Sequence, residues 1–96
     1  MTPVPEGRAV RRRVLVTGRV QAVGFRASCH HRAAAAGLGG YVRNLSDGSV
    51  EAAFEGPSAT VDTLVGWCSV GPPLARVTTA TVVDEPVTGE TVFRIC

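Results

Sequence analysis

Ninety-six residues with 45% hydrophobic content suit one domain with a small core, and no apolar run approaches the length that crosses a bilayer. Ten basic residues, all arginine, against eight acidic ones give a net charge of +2, short of the strongly basic balance of a dedicated nucleic-acid binder. Cys29, Cys68 and Cys96 are odd in number and contain no Cys-x-x-Cys pair, which indicates neither a disulfide framework nor a zinc site. The first ten residues lack the apolar core and small-residue cleavage site of a secretory signal, so reduced thiols in a cytoplasmic protein are expected. The complete absence of lysine reads as composition bias rather than function.

Residues 1–10, with Pro3, Pro5 and Gly7, have little to pack and are expected to form a flexible arm ahead of a domain spanning 11–96. Arg11-Arg12-Arg13 reads as a solvated charge run entering the first strand, Arg13 to Thr17, which is apolar and β-branched. The run Gly18-Arg19-Val20-Gln21-Ala22-Val23-Gly24 then leads into a helix from Phe25 to Ala36 that stops at Gly37. Phe25, Cys29, Arg32 or Ala33, and Ala36 share one face, a thin apolar stripe of mainly small side chains that suits close packing on a sheet. Gly39-Gly40 opens a second strand, Tyr41 to Leu45. Ser46-Asp47-Gly48 turns the chain into a third, Ser49 to Glu55, since Asp-Gly between strand-like runs is a hairpin signal. Alternation of Val50, Ala52 and Phe54 with Glu51, Ala53 and Glu55 predicts one buried face and one facing water.

Gly56-Pro57 breaks the third strand, and Ser58 is the expected N-cap of a second helix carrying Val61, Leu64, Val65 and Cys68 on one side. Cys29 and Cys68 then fall on buried faces, where cysteine behaves as a small hydrophobe; Cys96 is expected to be exposed. Gly71-Pro72-Pro73 ends that helix. A fourth strand runs from Arg76 to Val83, and a short closing strand, Thr91 to Cys96, follows a turn at Pro86 to Gly89. The order β-α-β-β-α-β with a short addition predicts an α+β fold, an antiparallel sheet with both helices on one face in the ferredoxin-like arrangement.

The segment between the first strand and the first helix is where anions are commonly held. Amides at a helix start lack intrahelical partners and sit at the positive end of the macrodipole, so a loop curling into that start can surround an anion with donors. Arg26 in the first helical turn opposes the dipole by about 0.3–1 kcal/mol at an exposed site, and a bound anion would reverse that sign. The two blocks Gly18-Arg19-Val20-Gln21-Ala22-Val23-Gly24-Phe25-Arg26 and Gly40-Tyr41-Val42-Arg43-Asn44-Leu45-Ser46-Asp47-Gly48-Ser49-Val50, followed by Gly71-Pro72-Pro73-Leu74-Ala75-Arg76-Val77, together resemble the acylphosphatases over about residues 12–96. Two long motifs in order are far more specific than one glycine pattern.

The resemblance implies the ferredoxin-like fold and hydrolysis of a carboxyl–phosphate anhydride to carboxylate and inorganic phosphate by a free-standing enzyme. The amides of Val20, Gln21, Ala22, Val23, Gly24, Phe25 and Arg26 would cradle the phosphoryl oxygens, with Arg26 supplying a two-pronged charged contact. By the same resemblance Asn44 orients the attacking water, and the substrate phosphate takes the water proton. No general base, metal or organic cofactor is then required. Neither motif holds a histidine or a buried carboxylate suited to that work. The expected partner is a small-molecule acyl phosphate, with no nucleic acid and no membrane, and a monomer is the default.

Ala22 departs from the family pattern, which most often has glycine there; an alanine at positive φ costs about 1–2 kcal/mol, whereas at negative φ it is harmless. The chain also ends Phe93-Arg94-Ile95-Cys96, shorter than the aromatic-ended tail common in the family. Other readings stand beside this one. His30 and His31 are adjacent on a helix and point about 100° apart, unsuited to joint chelation. Trp67 and Tyr41 read as packing residues. A non-catalytic ferredoxin-like module holding an anion or RNA is the alternative function, although five aromatics without a paired pattern on central strands argue against stacked RNA bases. An acylphosphatase-like domain in a regulatory or maturation role is a third.

Overall fold

A computed structural model describes residues 8–96; the rest of the expected N-terminal arm lies outside the described residues. Its elements are β1 (Ala9–Arg19), α1 (Phe25–Ala35), β2 (Gly39–Asn44), β3 (Val50–Pro57), α2 (Ser58–Cys68), β4 (Arg76–Glu85) and β5 (Phe93–Ile95). The five strands form one sheet in the order β4-β1-β3-β2-β5. The β1–β3, β1–β4 and β2–β3 pairs are antiparallel, as expected of two split β-α-β units. Short β5 joins β2 in parallel, pairing Gly40 with Phe93 and Val42 with Ile95, so the sheet is mixed rather than wholly antiparallel. β4 and β5 are the two edge strands, so the chain between them runs from one edge of the sheet to the other, past Glu55 of β3. Among the described residues no helix is long and apolar enough to cross a membrane.

Both helices cover one sheet face. Val14, Val16, Val42, Val50, Ala52 and Phe54 from the strands meet Phe25, Cys29 and Ala33 of α1 and Val61, Leu64 and Cys68 of α2 in one core. These are the stripes that the helical periods indicate, except that Ala36 is exposed beyond the end of α1. Phe93 of β5 stacks on Phe54 with centroids 5.5 Å apart. Cys29 and Cys68 are fully buried and Cys96 is exposed. Burial and the neighbouring Cys68 thiol both push the Cys29 thiol far above its usual range, with the contact from Cys68 foremost, so this cysteine is an inert packing group.

Four sequence expectations need correction. β1 begins at Ala9, because Ala9 and Val10 pair with Pro57 and Gly56; these two residues are strand, not arm. The same pairing carries β3 to Pro57, so Ser58 is already the first helical residue, Pro57 occupies the cap position, and no side chain caps the helix. Arg11 is not solvated but only 8% exposed, bonded to Glu55 at 3.1 Å and to Glu85 at 3.3 Å. Correspondingly, β3 is buried on both faces. Glu51 and Glu55 lie on the side away from the helices at 8% and 3% exposure, covered by arginines from β1 and β2 and by the Thr88–Gly89 turn.

Candidate active site

The loop between β1 and α1 reaches the end of the sheet where β2 turns into β3. Gly24 is the N-cap of α1 in the left-handed region at φ 80°, a conformation glycine adopts without a Cβ penalty. The Gly24 carbonyl accepts the first helical bond from the Ser28 amide at 3.0 Å, leaving the amides before Ser28 free of helical partners. No acidic residue stands in that first turn. Arg26 does, against the dipole, and its guanidinium is exposed with no Asp or Glu in ion-pair range among the described residues.

Val20, Ala22, Gly24, Phe25, Arg26, Ala27 and Asn44 line one cavity of about 150 Å³. The residues expected to clamp the phosphoryl group and to orient water therefore meet across a single small space, although 18 positions separate them in the chain. The lining contains one cationic side chain and one carboxamide, and no carboxylate, imidazole or thiol. Among the described residues there is also no cluster of three His, Cys, Asp or Glu side chains that could hold a metal ion.

Gln21 and Val23 do not line the cavity with their side chains. Val23 is buried in the core. The Gln21 carboxamide donates to the carbonyls of Leu45 at 2.7 Å and Ser49 at 2.9 Å, tying the loop to the β2–β3 turn directly beyond Asn44. That turn is closed by the Leu45 amide on the Ser49 carbonyl at 2.8 Å and by Asp47, which accepts from the Ser49 amide at 2.9 Å. The Ser49 hydroxyl and amide hold the Asp47 carboxyl below its usual range.

Ala22 has φ 61° and is the only non-glycine residue at positive φ among those described. The strained alternative weighed for this position is therefore the observed one. Two contacts have no signal in sequence. Ala27 extends the lining beyond the loop, and Arg26 Nη1 lies 3.5 Å from the main-chain oxygen of Cys96. β5 brings that residue to the site through the Cys96 amide, which donates to the Val42 carbonyl at 2.9 Å.

The fold and sequence match known proteins. Residues 12–95 match the family model described as Acylphosphatase. An acylphosphatase from Synechococcus sp. (strain CC9605) is 52% identical over 81 residues, covering 84% of this chain and 98% of that one. Solved structures of acylphosphatases from Coxiella burnetii and Bacillus subtilis superpose with TM-scores of 0.87 and 0.86 at 34% and 35% identity. They cover 92% and 91% of this chain and 93% and 98% of theirs. With the family model spanning nearly the whole domain and close relatives matched over most of their length, this chain belongs to the acylphosphatase family.

Proposed function

We propose that this chain hydrolyses acyl phosphates, with Arg26 and the 20–26 loop amides holding the phosphoryl group and Asn44 orienting the attacking water. The observation that supports the assignment is the shared cavity, lined by Arg26, by residues of the helix start and by Asn44. In this reading the water oxygen bonds to phosphorus as the phosphorus–oxygen bond to the acyl group breaks. The acyl oxygen leaves as a carboxylate, whose low basicity means that it needs no proton. The proton of the water passes to a phosphoryl oxygen. Such a transfer asks the protein mainly for positioning and charge stabilisation, which is what a cation, amides and a carboxamide supply.

The test is turnover of benzoyl phosphate by the purified chain in the presence of chelator. Arg26→Ala is expected to lower kcat by about 10²–10³, the loss that follows removal of one preorganised donor, and Asn44→Ala to lower kcat with little change in KM. A folded parent chain that binds phosphate without turnover would instead favour the anion-binding module.

A further inference from the structure

The arginines of this chain divide into two groups. Arg11, Arg12, Arg13, Arg43 and Arg94 each meet a carboxylate. Arg8, Arg19, Arg26, Arg32 and Arg76 meet no Asp or Glu among the described residues; of these, Arg26 lines the phosphate cavity, Arg19 directly precedes its loop and Arg76 pairs with Arg19. Arg26 is accounted for by that cavity. Arg19 and Arg76 face each other across the last rung of the β1–β4 ladder, just after the irregularity at Thr17/Gly18. Like charges directly opposite on a sheet are destabilising, and nothing among the described residues neutralises these two.

Arg76 also lines a cleft of about 520 Å³ with Ser28, Arg32, Trp67, Gly71 and Pro72. The Arg32 guanidinium sits 5.1 Å from the centroid of the Trp67 ring, which fixes a second cation at the wall of the cleft. Arg32 on its own is explained by the helix C-terminus that it occupies; the Arg19–Arg76 pair has no such explanation. The cleft adjoins the phosphate cavity by three routes. Ala27 lines the cavity and Ser28 the cleft. Phe25 lines the cavity and packs on Trp67 with centroids 5.1 Å apart. Arg19 precedes Val20 of the cavity in the chain.

We propose that this cleft is a second anion subsite, filled by a carboxylate or phosphate carried on the acyl portion of the substrate. The preferred substrates are then acyl phosphates bearing a further negative group. The uncharged lining of Gly71, Pro72 and Ala75, beside the Trp67 ring that carries Arg32, accommodates the carbon skeleton between the two anions, while Arg76, with Arg19 beside it, receives the distal charge. The inference rests on the hydrolase reading above and adds to it a specificity that the phosphoryl-gripping loop cannot supply.

The test compares benzoyl phosphate with 4-carboxybenzoyl phosphate, and octanoyl phosphate with its ω-carboxylated counterpart, at fixed ionic strength. Each is measured on the parent chain, on Arg76→Gln and on Arg19→Gln/Arg76→Gln. In at least one pair the carboxylated member should show a KM about fivefold lower at similar kcat, as a partly exposed ion pair would give. Added salt should shrink that advantage and the double variant should abolish it, with the uncharged members unchanged throughout. Equal KM values within both pairs on a working enzyme, or an advantage that survives in the double variant, would overturn the subsite alone. Absence of turnover with benzoyl phosphate on the parent would overturn the hydrolase reading and the subsite with it.

Discussion

Ala22 holds at φ 61° a backbone that costs an L-residue about 1–2 kcal/mol, and it does so in the lining of the cavity proposed to hold the phosphoryl group. The strain is compatible with the site because the Ala22 side chain is exposed and its neighbours are anchored, Val20 and Val23 in the core and Gln21 on the opposite turn. Ala22→Gly removes the Cβ clash but enlarges the unfolded ensemble, a loss of about 0.4–1 kcal/mol. The net expectation is a gain of up to about 1 kcal/mol in urea unfolding with turnover of benzoyl phosphate changed by no more than a few-fold. Ala22→Val places a β-branched residue at the same dihedral and should weaken both stability and turnover. A large fall in turnover for the glycine variant would give the Ala22 methyl group a role of its own.

Between elements, the Gln21 carboxamide directly links the β1–α1 loop to the β2–β3 turn, and therefore, in the proposed mechanism, the phosphoryl clamp to Asn44. Gln21→Ala removes one of two donors from each of the Leu45 and Ser49 carbonyls, which keep the Gly48 and Leu45 amides, and should cost about 0.5–1.5 kcal/mol in stability. Misplacing the water relative to the phosphorus should lower kcat by about tenfold or more. Gln21→Glu keeps the shape of the side chain but offers no donor when ionised. It is therefore expected to fail where Gln21→Asn retains part of the activity; equal activity of the glutamate variant in steady-state assays would remove the tie from the mechanism.

This link also marks how far the sequence could be read. Arg26 and Asn44 belong to recognisable blocks, and the Asp47-Gly48 turn and the apolar stripes of α1 and α2 follow from local periodicity. The Gln21 bonds, the Cys96 contact and the φ of Ala22 depend on segments 20 to 70 positions apart or on a dihedral that alanine does not encode. The Ser58 cap expectation failed for a related reason, since the pairing of Ala9 with Pro57 carries the strand to the helix start.

At the scale of the whole molecule, the helix-free face of the sheet is closed by charge rather than by apolar side chains. Glu85, Arg11 and Glu55 run across β4, β1 and β3, and Glu51 gathers Arg13, Arg43 and the Tyr41 hydroxyl. Burial and the Glu51 contact push the Tyr41 phenol up to about 12. Alternating charge along β3 looked like a wet face because the partners that dry it come from β1, β2 and the turn after β4. Burial alone would raise Glu55. The amide and hydroxyl of Thr88, the Arg11 guanidinium and the Gly89 amide outweigh it and hold the carboxyl below the ordinary 4.5. In Glu51, likewise, the Tyr41 hydroxyl and Arg43 overcome burial. A carboxyl depressed in the native state contributes stability above its unfolded value, and loses it as pH falls through the native one. Unfolding free energy should therefore be level near neutrality and decline below about pH 4.5. Glu55→Gln should be less stable than the parent by about 2 kcal/mol at pH 7, because Arg11 loses one of its carboxylates and Thr88 and Gly89 lose a charged acceptor. The two curves should converge as pH falls through the depressed native value of Glu55, below which the parent carboxyl is itself protonated. Urea midpoints between pH 7 and 3 measure this directly. A constant gap across that range would mean that Glu55 acts through packing alone, and that its charge does not hold the Thr88–Gly89 turn and the following β5 against the sheet.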